Sequence, residues 1–264
     1  MYGKYSEMYS QWCDYYDFEN IELQTIGKYV EIDGKDIIDI GCGTGRFLFR
    51  ILPYVHSAIG VDNDYISITV LKNLLSQQYK GYVSQTTIIC SNIEDVQIPS
   101  VSIDIAFFSW SLYALNKEQM NQAIRKVFDM LRANGKLIIL QPIGGEFETV
   151  MRQFFKKHED EDEYRSCLDN MNEIIPTLFN TIAADKIVSH FVVPDLNEFC
   201  AILKMFAVTE GRCVPNELNH ISWEILNNLL SSYKREDGFW LEDEVSLFVY
   251  EKRDFKSIIV NSSK

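Results

Sequence analysis

Lys35-Asp36-Ile37-Ile38-Asp39-Ile40-Gly41-Cys42-Gly43-Thr44-Gly45-Arg46-Phe47 is the stretch on which the reading of this chain turns. Ile37, Ile38 and Ile40 form a short apolar run of the kind that makes a parallel strand buried on both faces. Glycines end it at positions 41, 43 and 45, and Phe47, Leu48, Ile51 and Leu52 then carry the spacing of an apolar helix. Strand, glycine turn and helix make the first crossover of an open α/β sheet, where nucleotide-like ligands sit beyond the strand ends. Glycine permits positive φ and close approach of a ligand to the backbone, and the helix N-terminus offers free N–H groups.

Two cofactor classes compete for such a turn. The dinucleotide fingerprint G-x-G-x-x-G needs a glycine where Arg46 stands. The spacing here is D-x-G-x-G-x-G, from Asp39 to Gly45, and it resembles motif I of the class I S-adenosylmethionine-dependent methyltransferases. The resemblance implies that Asp39 helps to hold the methionine amino group while Gly41, Cys42, Gly43 and Gly45 pass under the cofactor. Residues 58–62 read as the second strand, ending in Asp62 with Asn63 beside it. A carboxylate at that place accepts hydrogen bonds from both ribose hydroxyls. Residues 87–90 read as the third strand. Asn92 follows where the family often has an adenine-binding Asp, and its amide oxygen can still accept; the Ile93 N–H is the implied partner of a ring nitrogen.

The fourth strand, 102–108, runs into Ser109 and Trp110, which the sheet order places between cofactor and acceptor. The Asp/Asn-Pro-Pro-aromatic motif of amino-methyltransferases acting on adenine, cytosine or glutamine is absent there, which counts against those acceptors. Met120, Ala123, Ile124, Val127, Phe128 and Leu131 form a helical stripe that Asn134-Gly135 should close, and 137–140 is the fifth strand. The resemblance spans roughly 35–141. The expected whole is a single α/β domain over 1–264: a Rossmann-like doubly wound sheet, mostly parallel with an antiparallel last strand near 245–250. Segment 1–31 puts Tyr5, Tyr9, Trp12 and Tyr16 on one helix face, expected either to pack on the core or to close as the helical lid that the resemblance implies, or both, with a second helix over 19–31. Segments 146–185 and 213–240 are expected to be helical insertions forming an acceptor-side cap.

Composition narrows the partners. With 264 residues, 47% hydrophobic and 24% charged, the chain is an ordinary globular one. Its net charge of −13 argues against a nucleic-acid partner, since phosphate contacts need Lys and Arg. Cysteines 13, 42, 90, 167, 200 and 213 include no C-x-x-C pair, so reduced thiols and a cytoplasmic setting are expected. The N-terminus lacks the pattern of a signal peptide, and no apolar run approaches the roughly 20 residues that span a bilayer. No metal site is expected: Glu159–Glu163 beside His158 reads as a solvated first helical turn.

Methyl transfer from a sulfonium is an in-line displacement that needs alignment, exclusion of water and at most a modest base. No triad is therefore required. Tyr113 and His190 are the candidate catalytic groups, with His220 a further possibility and His56 read as structural. Tyr9, Tyr16, Tyr113 and Gln141 are the candidate acceptor contacts, and an aromatic wall completed by Trp110 would suit an aromatic or amine small molecule. The function expected is transfer of a methyl group to N or O of a small molecule. The rivals are a peptide or protein methyltransferase and a non-catalytic S-adenosylmethionine-binding regulator or scaffold.

Overall fold

The computed structural model describes residues 5–155, 162–209 and 222–254. In chain order the helices are α1 (Ser6–Tyr15), α2 (Ile21–Ile26), α3 (Leu48–Ile51), α4 (Tyr65–Gln77), α5 (Lys117–Met130), α6 (Glu146–Phe154), α7 (Asp162–Ile174), α8 (Leu196–Thr209) and α9 (Trp223–Leu230). The strands are β1 (Asp36–Ile40), β2 (Ser57–Asp62), β3 (Thr86–Cys90), β4 (Ile103–Ser109), β5 (Leu131–Gly145), β6 (Phe179–Val193), β7 (Lys234–Arg235) and β8 (Gly238–Lys252). They join in the order β3-β2-β1-β4-β5-β8-β6, with β7 on β8. The first five strands pair in parallel; β8 runs antiparallel between β5 and β6. The mostly parallel sheet with an antiparallel late strand is thus present.

Each sheet face feeds its own core. Ile37, Phe107 and Leu140 bury under α1, α3, α4 and α8, while Ile38, Phe108 and Ile139 bury under α5 and α7. Each such covered side chain contributes roughly 1.5–3 kcal/mol. Helix α5 starts at a capping box in which Asn116 accepts from the Gln119 N–H and the Gln119 side chain accepts from the Asn116 N–H. Such a cap contributes about 1 kcal/mol. Strand β1 has β2 on one side and β4 on the other, so the chain reverses its direction of winding there and a crevice opens beyond the C-terminal strand ends.

Four expectations are corrected. Residues 179–185, placed in a helical insertion, belong to β6, which lies at the sheet edge and exposes Asn180, Thr181 and Ile182. Its first half therefore lacks the inward alternation that marks a strand. Residues 234–240 likewise form β7 and the start of β8, not helix. Helix α5 ends at Met130, and Asn134 instead takes a left-handed turn (φ 61°) leading into the paired part of β5. The second helix is also shorter than 19–31, because Asp17 caps it by accepting from Ile21 and Glu22 N–H groups and Gly27 closes it.

Candidate functional site

A cleft of about 470 Å³ opens beyond the C-terminal ends of β1, β2, β3 and β4. Its floor is the glycine turn. Gly41 and Cys42 both donate to the Val61 carbonyl, at 2.7 and 3.1 Å, which folds the turn back over β2. Gly41 has φ 73°, and a Cβ there would run into the Ser111 side chain, whose Oγ is held by the Ile40 carbonyl. Gly45 (φ 100°) does not line the cleft; it lets the Phe49 ring pack against the turn.

Asp62 ties turn to strand: Oδ2 accepts from Gly43 N–H and Oδ1 from Asp64 N–H, each at 2.8 Å. Each oxygen keeps acceptor capacity toward the cleft, which Asp62 lines. Asn63 Nδ2 donates to Asn92 Oδ1 at 2.8 Å, bridging the ends of β2 and β3, and Ile93 is buried beside them. Asp39 is the unusual group. It is 1% exposed, lines the cleft, and has no hydrogen-bond partner on either carboxylate oxygen. Burial pushes its carboxyl up to about 7; Arg46 opposes the rise and Asp62 adds to it. An orphaned buried carboxylate is costly until a cationic donor meets it.

The far wall carries a pair that sequence reasoning missed. Arg46 Nη1 meets Glu22 Oε2 at 2.7 Å, and Nη2 donates to Ser109 Oγ at 2.5 Å. The guanidinium also stacks 4.5 Å from the Trp110 ring, and Trp110 Nε1 donates to Glu22 Oε1 at 3.1 Å. Trp110 has φ 60°, a left-handed conformation that costs a bulky residue and is maintained here by these contacts. In the sequence Arg46 stands out only as the residue that breaks the dinucleotide fingerprint, and nothing singles out Glu22. Nothing in local periodicity links two residues on separate elements.

The expected acceptor residues divide. Tyr9, Trp110 and Tyr113 line the cleft together with Ser109. Tyr16 does not: it is fully buried, its hydroxyl accepting from Ser189 Oγ at 2.8 Å, its ring 4.7 Å from Trp110. The aromatic face of α1 is mostly spent on packing, since Trp12 touches Tyr9, Tyr16, Trp110, Phe191 and Phe206. His190 is also elsewhere, its Nδ1 2.9 Å from Glu19 and its ring against Trp240. Gln141 is buried without a partner for Oε1, and lies outside the cleft lining. His158 and His220 fall outside the described residues. Among the described residues no three His, Cys, Asp or Glu side chains are grouped to hold a metal, and no helix is long and apolar enough to cross a membrane.

Residues 37–135 match a family model described as a methyltransferase domain. Over 138 residues the chain is 29% identical to protein arginine N-methyltransferase 1 of Saccharomyces cerevisiae, covering 52% of this chain and 38% of that one. Over 216 residues it is 23% identical to phosphoethanolamine N-methyltransferase 1 of Zea mays, covering 78% of this chain and 42% of that one. The chain thus spans about two fifths of the length of these relatives. Among solved structures, the PH0226 protein of Pyrococcus horikoshii OT3 aligns with a TM-score of 0.56 at 14% identity, over 89% of this chain and 90% of that one. At that identity the likeness is one of fold.

Proposed function

Residues 37–135 matching a methyltransferase-domain model, we propose that the protein is a class I S-adenosylmethionine-dependent methyltransferase that transfers a methyl group to a nitrogen or oxygen of a small-molecule acceptor. The observation that carries this reading is the Asp39 carboxylate, buried at the cleft wall without a partner. It fits the cofactor's ammonium, and Gly43, with open space where a Cβ would stand, leaves backbone room for the ligand. When bound, S-adenosylmethionine supplies a methyl carbon already activated by the sulfonium.

The chain's own residues then have separable tasks. Asp39 accepts from the ammonium and fixes one end of the ligand. Asp62, oriented by two backbone N–H groups, offers its remaining lone pairs to the ribose hydroxyls. Asn92 and Ile93 flank the adenine. Trp110, Tyr113 and Tyr9 wall the acceptor side and exclude water, so that alignment does most of the catalytic work. Tyr113 is the candidate for steering the acceptor or taking its proton. Tyr16, His190 and Gln141 are assigned no direct contact in this reading, because none lines the cleft.

A peptide acceptor is the second reading, favoured by the 29% identity to a protein arginine N-methyltransferase. Transfer of labelled methyl from S-adenosylmethionine to a panel of small amines, phenols and peptides separates the two. Labelling of amines or phenols supports the proposal; labelling of peptides alone selects the rival. Binding without transfer to any acceptor leaves a regulatory S-adenosylmethionine-binding protein.

A further inference from the structure

The Ser109 hydroxyl is a buried group to which the mechanism above gives no task. It closes β4, is 8% exposed and lines the cleft beside Trp110 and Tyr113. Its oxygen accepts from Arg46 Nη2 at 2.5 Å, so the hydroxyl hydrogen points away from Arg46, and among the described residues it meets no acceptor. A bond received from a cation polarises the O–H and makes it a stronger donor. Burial disfavours the Arg46 cation and Glu22 restores it, so the guanidinium stays fully charged. Glu22 is 0% exposed, does not line the cleft, and has its two oxygens taken up by Arg46 Nη1 and Trp110 Nε1. The ion pair therefore stands with its cation toward the cleft and its anion behind.

Charge around the cleft is divided to match. Asp39, Asp62, Asp64 and Glu94 stand on the side proposed to hold the cofactor, and of the described residues that line the cleft Arg46 alone is a cation. The wall proposed to meet the acceptor, Tyr9, Ser109, Trp110 and Tyr113, offers no carboxylate. Once Asp39 has taken the cofactor's ammonium, a cationic amine at that wall would lose its hydration without gaining a counter-charge. An anionic oxygen there would receive the Ser109 hydrogen and the field of Arg46. We infer that the acceptor presents an anionic oxygen, phenolate or carboxylate, that Ser109 donates to it, and that Arg46 is the positioning residue that turns the hydroxyl into the cleft. The inference rests on the proposed methyl transfer and narrows its target from nitrogen or oxygen to oxygen. A lone pair of that oxygen forms the O–CH3 bond while the S–CH3 bond breaks and leaves its electron pair on sulfur. The products are an aryl methyl ether or a methyl ester together with S-adenosylhomocysteine. No proton leaves in the step, because the oxygen is already ionised.

The test is calorimetric binding of benzoate, 4-nitrophenolate, benzyl alcohol and benzylamine to the S-adenosylhomocysteine-loaded chain at pH 8. The two anions should bind about tenfold tighter than the alcohol and the amine, as a hydrogen bond to a charged acceptor requires. Ser109→Ala should bring the anions to within about twofold of the alcohol while S-adenosylhomocysteine affinity stays as in wild type. Ser109→Thr keeps the hydroxyl and should hold the preference within about threefold of wild type. Replacing both members of the ion pair (Glu22→Gln with Arg46→Met) avoids stranding a buried charge and should cut the preference to about threefold. Labelled methyl from S-adenosylmethionine then separates the two sources, since an ester releases it in base and an aryl ether does not. Equal binding of the four probes, binding of none, or a preference for benzylamine overturns the inference. Label entering benzylamine alone also overturns it and leaves the proposed methyl transfer standing. A preference that survives Ser109→Ala overturns the role of Ser109, and one that survives the double variant overturns that of Arg46. Loss of S-adenosylhomocysteine and probes alike in both Ser109 variants assigns the hydroxyl to structure and overturns its role. Failure of wild type to bind S-adenosylhomocysteine is a different result, which sinks the cofactor site itself.

Discussion

The two halves of the cleft are built differently. The half proposed to hold the cofactor consists of strand ends and a glycine turn: Asp39, Gly41, Gly43, Asp62 and Asn63 lie within a short span of chain and are positioned by main-chain bonds. The half proposed to meet the acceptor is backed by distant segments: Glu22 reaches Trp110, and behind it Tyr16 reaches Ser189. The first half is polar and carries an unmet carboxylate; the second is a packed aromatic cluster whose polar groups are mostly paired with one another. A site that accepts a fixed ligand can be pre-formed by local backbone geometry, whereas the half that meets a variable acceptor depends on tertiary packing.

The most damaging change to the pre-formed half should be Gly41→Val. Both the positive φ and the Ser111 side chain oppose a branched residue there. Stability should fall by roughly 2–4 kcal/mol, and S-adenosylhomocysteine binding should vanish, read by thermal melting and calorimetry.

Asp39→Asn should separate binding from stability. The raised carboxyl means that the folded state holds this proton to about pH 7, so the ionised group costs the ligand-free protein stability as pH rises from about 4 to 7. The amide should therefore raise the melting temperature at pH 8, by about 1–4 kcal/mol of stability, while weakening S-adenosylhomocysteine binding about a hundredfold. In wild type, affinity should fall about tenfold per pH unit below 7, because Asp39 must be ionised to accept the ammonium; the variant should lose that dependence.

On the packed side effects should be smaller. Tyr16→Phe removes the hydroxyl between Ser189 and Glu22 and should cost about 1–2 kcal/mol in unfolding, with cofactor affinity changed less than about threefold. His190→Ala should be smallest, altering methyl transfer by less than about twofold, since its ring pairs with Glu19 and Trp240 outside the cleft. A hundredfold loss of turnover would instead bring the histidine into the reaction.

The same division explains what could be read in advance. The alternation of strands and helices through β5 follows from apolar runs and glycine punctuation, and Asp39, Asp62, Asn92, Ser109 and Trp110 stand around one cleft because each closes a parallel strand. Strand β6 was hidden because its first half is a solvated edge, rich in Asn180, Thr181 and the small Ala183 and Ala184. Tyr16 fell on the same helical stripe as Tyr9, and only packing decides that one ring reaches the cleft while the other is sealed beneath Trp110. The Glu22–Arg46 pair joins residues with no shared local rule, and its partners Ser109 and Trp110 lie on a third element.

The most direct measurement is a calorimetric titration of the wild-type chain with S-adenosylhomocysteine and with NAD, repeated on Asp62→Ala. Micromolar binding of S-adenosylhomocysteine, none of NAD, and loss of binding in the variant are the predicted results. Binding of NAD alone, or of neither ligand, would contradict the account, because the glycine turn and the Asp39 carboxylate would then serve something other than an adenosyl amino acid.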